Sequence, residues 1–254
     1  GDVYKRQAVN GTTAFIVTAP ASGSGAANGL WKTTNSGTSW AKVSGVFGTS
    51  SFGNIIHFFD ANNGLVIGDP INGKYEMYKT TDGGNTWSTL GTAPSTLVST
   101  EYGYVAGRVF LGEDLWLTSN TGRILHTNDR GATWKSYFSP VDDFSGEDSS
   151  ASMSFSSSKY GLLVDNTAVL WFTEDSGANW DVMSSNSYYD GDISYIPGSN
   201  GIFLSTGFSS ASELGVGSAY SKDNGKTWTK IDDGQQRLFI GAYDCKSVWV
   251  GHYT

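Results

Sequence analysis

The densest group of ionisable side chains is a loop-like stretch in which Asp142, Asp143, Glu147 and Asp148 place four carboxylates within seven residues. Carboxylates this close together can bind a hard cation such as calcium, or supply a general acid and a general base. The stretch lacks the ordered Asp-x-Asp-x-Asp-Gly spacing of a calcium loop, and a solvated acidic loop explains it more simply. We therefore assign no metal site and no catalytic residue to it.

A second candidate combines aromatic and acidic side chains, since Tyr188 and Tyr189 directly precede Asp190. Aromatic rings stack on sugar rings, and a neighbouring carboxylate accepts hydrogen bonds from sugar hydroxyls. An ordinary exposed loop of turn-forming residues explains the same stretch, so both interpretations stay open.

A third set is dispersed along the chain: Asp69, Glu101, Tyr104, Arg108 and Arg123. Glu101 and Tyr104 stand at the entry to a predicted strand that also carries Arg108, and Arg123 opens another strand. We expect these side chains and Asp69 to converge on one ligand-binding cavity.

The element that must position all of these residues is an octapeptide that occurs five times, with the pattern Ser/Thr-x-Asp-x-Gly-x-x-Trp and one Asn in place of Asp. Its tryptophans are 46 to 48 residues apart, which indicates a repeat architecture. The motif residues are Asn35, Gly37 and Trp40; Asp82, Gly84 and Trp87; Asp129, Gly131 and Trp134; Asp175, Gly177 and Trp180; and Asp223, Gly225 and Trp228.

These octapeptides, called repeat turns below, have the composition of a tight turn. An Asp or Asn side chain can accept hydrogen bonds from nearby backbone N–H groups, and glycine adopts the positive φ that such a turn needs. The tryptophan then enters a strand, where we expect its ring to be buried. Because a catalytic residue has no reason to occur five times, we interpret these aspartates as structural.

The repeat turn resembles the Asp box, or bacterial neuraminidase repeat, of sialidases, sortilin-type receptors, xyloglucanases and the photosystem II assembly factor family. The resemblance implies a β-propeller in which each box joins the third and fourth strands of a blade, away from the ligand-binding face. The segments Gly68-Asp69-Pro70 and Glu101-Tyr102-Gly103-Tyr104 resemble secreted Bacteroidetes-type Asp-box proteins. That likeness implies a bacterial protein that is secreted, periplasmic or on the cell surface, with its signal peptide upstream of this sequence.

Between repeat turns, apolar runs bounded by Gly, Asn and Asp predict an all-β fold of four-stranded antiparallel blades. Five blades and a partial sixth are present, and we expect them to come from a ring of six to eight blades. Residues 1–7 (GDVYKRQ) look foreign to the protein and are predicted to lie outside the fold, leaving 8–254 as one truncated propeller domain.

A net charge of −8 argues against nucleic acid or an anionic membrane as partner. No apolar run reaches the roughly 18 residues that span a bilayer, and the lone Cys245, expected to be buried, permits no internal disulfide. We expect a monomer without cofactor that binds a carbohydrate or protein ligand. The alternative is a xyloglucanase-like or sialidase-like glycoside hydrolase, although Arg123-Ile124-Leu125 departs from the Arg-Ile-Pro motif of sialidases.

Overall fold

The computed structural model describes residues 5–18, 29–144, 151–165, 167–209 and 214–251. These residues form strands, turns and loops, and the described part of the chain contains no helix. The strands are β1 (Lys5–Ala8), β2 (Ala14–Thr18), β3 (Gly29–Thr33), β4 (Ala41–Lys42), β5 (Gly53–Phe58), β6 (Gly64–Ile71), β7 (Lys74–Thr80), β8 (Ser88–Thr89), β9 (Gly103–Leu111), β10 (Asp114–Ser119), β11 (Arg123–Thr127), β12 (Lys135–Phe138), β13 (Ser152–Phe155), β14 (Gly161–Val164), β15 (Leu170–Thr173), β16 (Asp181–Val182), β17 (Asp192–Tyr195), β18 (Phe203–Phe208), β19 (Val216–Ser221), β20 (Thr229–Asp233), β21 (Ile240–Asp244) and β22 (Ser247–Val250).

Strands that follow one another in the chain pair side by side. They make five four-stranded sheets, β1–β4, β5–β8, β9–β12, β13–β16 and β17–β20, and the two-stranded sheet β21–β22. The pairing is antiparallel wherever its register is defined, as between β13 and β14 and between β14 and β15. Each four-stranded sheet is one propeller blade, numbered 1 to 5 in chain order. The predicted all-β propeller fold, with five blades and a partial sixth, is confirmed.

The chain forms two compact units. The first comprises the described residues within 1–106, 112–115 and 127–135, and the second comprises those within 107–111, 116–126 and 136–254. In the first unit, the core between blades 1 and 2 contains Phe15, Leu30, Phe58 and Val66, with the rings of Phe15 and Phe58 stacked at 4.9 Å. In the second unit, the core includes Leu162, Tyr189, Phe203 and Trp228.

Every repeat turn joins the third and fourth strands of its blade and contains the same three hydrogen bonds. The first-position hydroxyl donates to the Asp or Asn side chain at 2.8–3.0 Å. The glycine N–H donates to that hydroxyl at 2.8–3.0 Å. The seventh-residue N–H donates to the Asp or Asn oxygen at 2.8–2.9 Å. The Asp or Asn side chain is therefore engaged within its own turn.

Two successive residues of each repeat turn adopt a left-handed backbone, although the sequence predicted only one. The glycine has φ between 73° and 91°, and the preceding fourth residue has φ between 57° and 70° whether it is Ser, Gly, Arg or Asn. The N–H of this fourth residue donates to a carbonyl in the turn between the first two strands of its own blade, as from Ser176 to Lys159. The repeat turn and that first turn therefore lie at the same end of each blade.

The glycine of a repeat turn also packs against the preceding blade. A Cβ added at Gly131 would lie 2.7 Å from Leu65 Cδ1, and one added at Gly225 would lie 2.6 Å from Leu162 Cδ1. At Gly84 the same atom would overlap the ring of Phe15. At Gly84, Gly131 and Gly225 a side chain would therefore separate two blades, which explains glycine at these three positions beyond its backbone conformation.

The expected burial of the repeat-turn tryptophans holds only where a blade covers the ring. Trp228 is 8% exposed and belongs to the core of the second unit, whereas Trp40 is 37% exposed. Trp87, Trp134 and Trp180 are intermediate. The expectation is wrong for Trp40, because no described blade precedes blade 1 to cover its repeat turn.

Two further expectations need correction. Residues 5–7 were predicted to lie outside the fold, but Lys5–Ala8 pairs with β2. Gln7 also exchanges two hydrogen bonds, of 2.7 and 3.1 Å, with the backbone of Phe58 in blade 2. Cys245 is exposed rather than buried, because it lies in the turn between β21 and β22. That residues 1–7 are foreign to the protein stays a prediction.

Candidate ligand-binding site

Loop 91–103 joins blades 2 and 3 at the end of the blade opposite the repeat turn. It lies against the turn between β6 and β7. Thr96 N–H donates to Gly73 O at 2.9 Å, Tyr75 N–H donates to Pro94 O at 2.9 Å, and Lys74 Nζ donates to Gly91 O at 2.6 Å. These bonds connect the loop to blade 2.

Glu101 is the internal anchor of this loop. Its side chain is 3% exposed, and its carboxylate accepts the Leu97 N–H at 2.5 Å and the Tyr75 hydroxyl at 3.3 Å. The sequence suggested that Glu101 faces a ligand cavity. The structure corrects this, because a carboxylate that is buried beneath its own loop is satisfied by protein donors.

The same loop exposes three large side chains with apolar surface. Leu97 is 55% exposed, Val98 45% and Tyr102 43%, and we call these three residues the loop patch. Tyr102 also contacts Tyr104 edge-on, with ring centroids 5.3 Å apart and hydroxyl oxygens 3.3 Å apart. Contiguous apolar side chains at the surface can mark a docking site, and Leu97 and Val98 are adjacent in the chain.

Asp69 lies at the base of loop 91–103. Its carboxylate accepts a hydrogen bond from Asn54 Nδ2 at 2.7 Å and another from the backbone N–H of Gly103. Burial raises the pKa of Asp69, although these two hydrogen bonds act in the opposite direction. Asp69 and Glu101, which the sequence grouped together, therefore both hold the loop in place.

The two candidate arginines are engaged within the second unit. Arg123 is 7% exposed and donates from Nε to Ser136 Oγ at 2.9 Å, so it joins the two outer strands of blade 3. Arg108 is half-buried, with its guanidinium carbon 5.8 Å from the ring centroid of Phe110, and burial lowers its pKa. Arg123 is thus a structural residue rather than an exposed carboxylate clamp.

For Tyr188 and Tyr189 the sequence left open a surface for sugar stacking or an ordinary exposed loop, and the structure corrects both interpretations. They are 8% and 1% exposed and belong to the core of the second unit. Tyr188 donates its hydroxyl to Ala168 O at 2.5 Å, and Tyr189 donates to Asp233. Burial and the bond to Asp233 raise the pKa of Tyr189. Their rings fill the space between strands, so neither ring offers a face to a ligand.

The remaining acidic candidates are only partly described. Asp142 is exposed, whereas Asp143 and Asp190 are half-buried. Glu147 and Asp148 lie outside the described residues. Among the residues that are described, no three His, Cys, Asp or Glu side chains are grouped so that they could hold a metal ion. Across the same residues, no helix is long and apolar enough to cross a membrane.

Sequence reasoning missed Leu97 and Val98, the aliphatic part of the loop patch. The available signal was an apolar pair within an otherwise polar segment, PSTLVSTEYG. Single exposed apolar residues are common on protein surfaces, so the pair became informative only when Glu101 proved to hold it outward.

Comparison with known proteins gives the fold alone. No protein-family model matches the chain, and no curated protein matches it. Among solved structures it is similar to the Niastella koreensis GH74 enzyme, with 17% identity, a TM-score of 0.55, and coverage of 91% of this chain and 38% of that one. A chain of a mitotic checkpoint complex matches with 12% identity, a TM-score of 0.60, and coverage of 99% and 71%.

A further similar structure is YCF48 bound to D1 peptide, with 16% identity, a TM-score of 0.46, and coverage of 79% of this chain and 60% of that one. This chain therefore spans less than two thirds of the YCF48 and GH74 chains. The class that the fold defines is a β-propeller protein.

Proposed function

We propose that this protein is a non-catalytic binding module whose loop patch docks an apolar segment of a protein ligand. The observation that carries the proposal is the pairing of Glu101 with Leu97 beneath three exposed apolar side chains. A loop already ordered in the free protein loses little conformational entropy when it binds, which favours affinity. Leu97 and Val98 offer no hydrogen-bonding groups, so their chemistry fits aliphatic side chains better than sugar hydroxyls.

A carbohydrate ligand is the second candidate, and the edge-on pair of Tyr102 and Tyr104 favours it. Tyr102 is 43% exposed, and its ring and hydroxyl offer both stacking and hydrogen bonding. This pair takes the place of Tyr188 and Tyr189 as the aromatic candidate on the loop side of the blades.

A glycoside hydrolase would need two carboxylates on either side of a cleft. Asp69 and Glu101 are the acidic candidates nearest the loop patch, yet both accept hydrogen bonds from protein groups that hold the loop. We therefore favour binding over catalysis. We infer further that the repeat turns are Asp boxes, and that the protein is monomeric and acts outside the bacterial cytoplasm.

The decisive experiment pans a displayed peptide library against the protein and screens a glycan array in parallel. We expect peptide binders rich in apolar residues, with affinity reduced about tenfold or more by Leu97→Ser, as for a central apolar contact. Val182→Ser is the matched control, because Val182 is 57% exposed on the outer strand β16.

Glycan binding that Tyr102→Ala abolishes and Leu97→Ser leaves unchanged would favour the carbohydrate candidate instead. Release of reducing sugar from an array hit, lost in Glu101→Gln, would overturn the non-catalytic proposal.

A further inference from the structure

The two-stranded sheet β21–β22 has an open outer edge in the described part of the chain. In every four-stranded blade the second strand lies between the first and the third, whereas β22 pairs with β21 alone. Gly251 directs its N–H to Phe239 O at 2.8 Å and accepts the Leu238 N–H at 2.9 Å, so both of its backbone groups face β21. Because this direction alternates along a strand, Val250 and Val248 direct their N–H and C=O groups to the open edge.

This edge lacks the features that normally protect a sheet edge. Proteins shorten such strands or place charges and prolines on them, because an unpaired edge otherwise pairs with another chain. The outer strands β4, β8 and β16 have two residues each, and β12 and β20 carry charged residues. By contrast, β22 is Ser-Val-Trp-Val, with four uncharged residues and no proline. Among the described strands at the outer edge of a sheet, β22 is the one left open to pairing.

The side chains of β22 have the composition of a covered strand without the cover. The second strand of blade 4, β14, is Gly-Leu-Leu-Val, and all four of its residues are buried. In β22, Trp249 is 64% exposed and Val250 is 38% exposed. Pairing with a further strand would bury apolar surface as well as satisfy the backbone groups.

The complete blades show what pairs with a second strand. In blade 4 the third strand runs antiparallel, with Trp171 opposite Leu163 and Thr173 opposite Gly161. An aromatic residue two positions before a threonine recurs in the third strands of blades 1 and 2, as Trp31 and Thr33 and as Tyr78 and Thr80. The open edge therefore fits an extended segment with this spacing.

No third strand within the described residues is available for this pairing. The third strands β3, β7, β11, β15 and β19 each lie between two neighbours in their own sheet. A second copy of the chain has the same third strands, equally paired, and offers only its own β22 edge. The segment that fits must therefore be supplied by a different polypeptide.

We propose that the open edge of β22 is a docking site for another protein, which adds one antiparallel strand to the sheet. Main-chain hydrogen bonds to Val248 and Val250 supply the affinity, as in other cases of strand addition. An aromatic residue opposite Val250 and a threonine opposite Val248 set the register. The site is separate from the loop patch and does not rest on the proposed function.

The test uses a fluorescent synthetic peptide that copies residues 168–182, the third strand, repeat turn and fourth strand of blade 4. Binding to the protein is followed by fluorescence anisotropy, and we expect a saturable rise. In blade 4, Leu170 O accepts the Met183 N–H, so the backbone of Trp171 faces β14. Methylating the peptide nitrogen at the residue that copies Trp171 removes that donor and should weaken the Kd about tenfold or more, with the protein unaltered.

Val250→Pro removes one N–H from the open edge, where proline is tolerated, and should weaken the Kd to a similar extent. Val182→Pro is the matched control, because the Val182 N–H also faces away from its sheet, on β16, and the Kd should stay unchanged. Leu97→Ser, which alters the loop patch, should also leave this Kd unchanged.

Three results would overturn the proposal. The first is the absence of saturable binding, and the second is equal affinity of the methylated and unmethylated peptides. The third is self-association in sedimentation velocity that Val250→Pro abolishes, because the edge would then be occupied by a second copy. Peptide binding that Leu97→Ser removes and Val250→Pro leaves intact would likewise assign the peptide to the loop patch and exclude the β22 edge.

Discussion

The backbone N–H of Leu97 donates to a carboxylate oxygen of Glu101 at 2.5 Å, and the Glu101 side chain is 3% exposed. The same carboxylate accepts the hydroxyl of Tyr75. One buried side chain therefore joins loop 91–103 to strand β7 and holds the loop patch at the surface.

Removing this anchor should loosen the loop before it unfolds the blade. We expect Glu101→Ala to lower the free energy of unfolding by about 1–3 kcal/mol, because a part-buried N–H and a buried hydroxyl lose this acceptor. Glu101→Gln keeps one carbonyl oxygen and should cost less. Urea denaturation measures the loss, and limited proteolysis within loop 91–103 should become faster. Unchanged proteolysis of Glu101→Ala would contradict the anchoring role.

The repeat-turn tryptophans should contribute different amounts to the free energy of unfolding, although they share a motif. Trp228→Ala should destabilise the protein by about 3–5 kcal/mol, as a large-to-small core substitution does. Trp40→Ala should cost less than about 1 kcal/mol, because its ring is 37% exposed and Trp228 is 8% exposed. Thermal or urea denaturation of both variants measures the difference. Equal losses of unfolding free energy in the two variants would show that the motif, rather than the covering blade, determines how much each tryptophan stabilises the protein.

The repeat turns should make stability sensitive to acid. Burial alone raises the pKa of Asp129, but hydrogen bonds from Thr133 and Thr127 outweigh it and hold the pKa below its usual range. A carboxyl with a lowered folded-state pKa stabilises the protein above the unfolded pKa of about 3.9, and this contribution is lost as the pH falls through the folded value.

We therefore expect the midpoint of urea denaturation to fall as the pH is lowered from 5 to 2.5. This fall should be smaller in Asp129→Asn than in the wild type. Asn35 accepts the same backbone bond in the first repeat turn at 2.9 Å, so Asn at position 129 should preserve the turn at pH 7. Asp142→Asn, which alters an exposed carboxylate outside any repeat turn, is the control. An acid response of Asp129→Asn equal to that of the wild type would exclude Asp129 as a contributor.

Glycine at the fifth repeat-turn position should matter for packing as well as for φ. Gly84→Ala places a Cβ against the ring of Phe15, whereas Gly112→Ala places one in open space, and both residues have positive φ. The backbone penalty is therefore shared, and the excess cost of Gly84→Ala, expected at about 1–3 kcal/mol, measures the overlap between blades. Equal unfolding free energies for the two variants would show that backbone strain alone selects glycine here.

The sequence by itself determined the repeat, the all-β class and the chemistry of the turns. The chemistry of the turns depends on residues within eight positions of one another, where Thr127, Asp129 and Gly131 form the same bonds as their counterparts in the other blades. Local hydrogen bonds of this kind depend on residue type and spacing, which the sequence states directly.

Only the tertiary structure decided which candidate side chains are exposed. Glu101 and Tyr189 looked suited to a ligand but are buried, and Lys32 resembled any strand residue until it proved to face the repeat turn of the next blade. Burial and charge balance depend on atoms about 50 residues away in sequence, as between Lys32 and Gly83. The repeat turn occurs in every blade with the same hydrogen bonds. Each interface between two blades, in contrast, pairs two different sets of side chains. The side chains at these interfaces therefore differ from one blade to the next, although the turn does not.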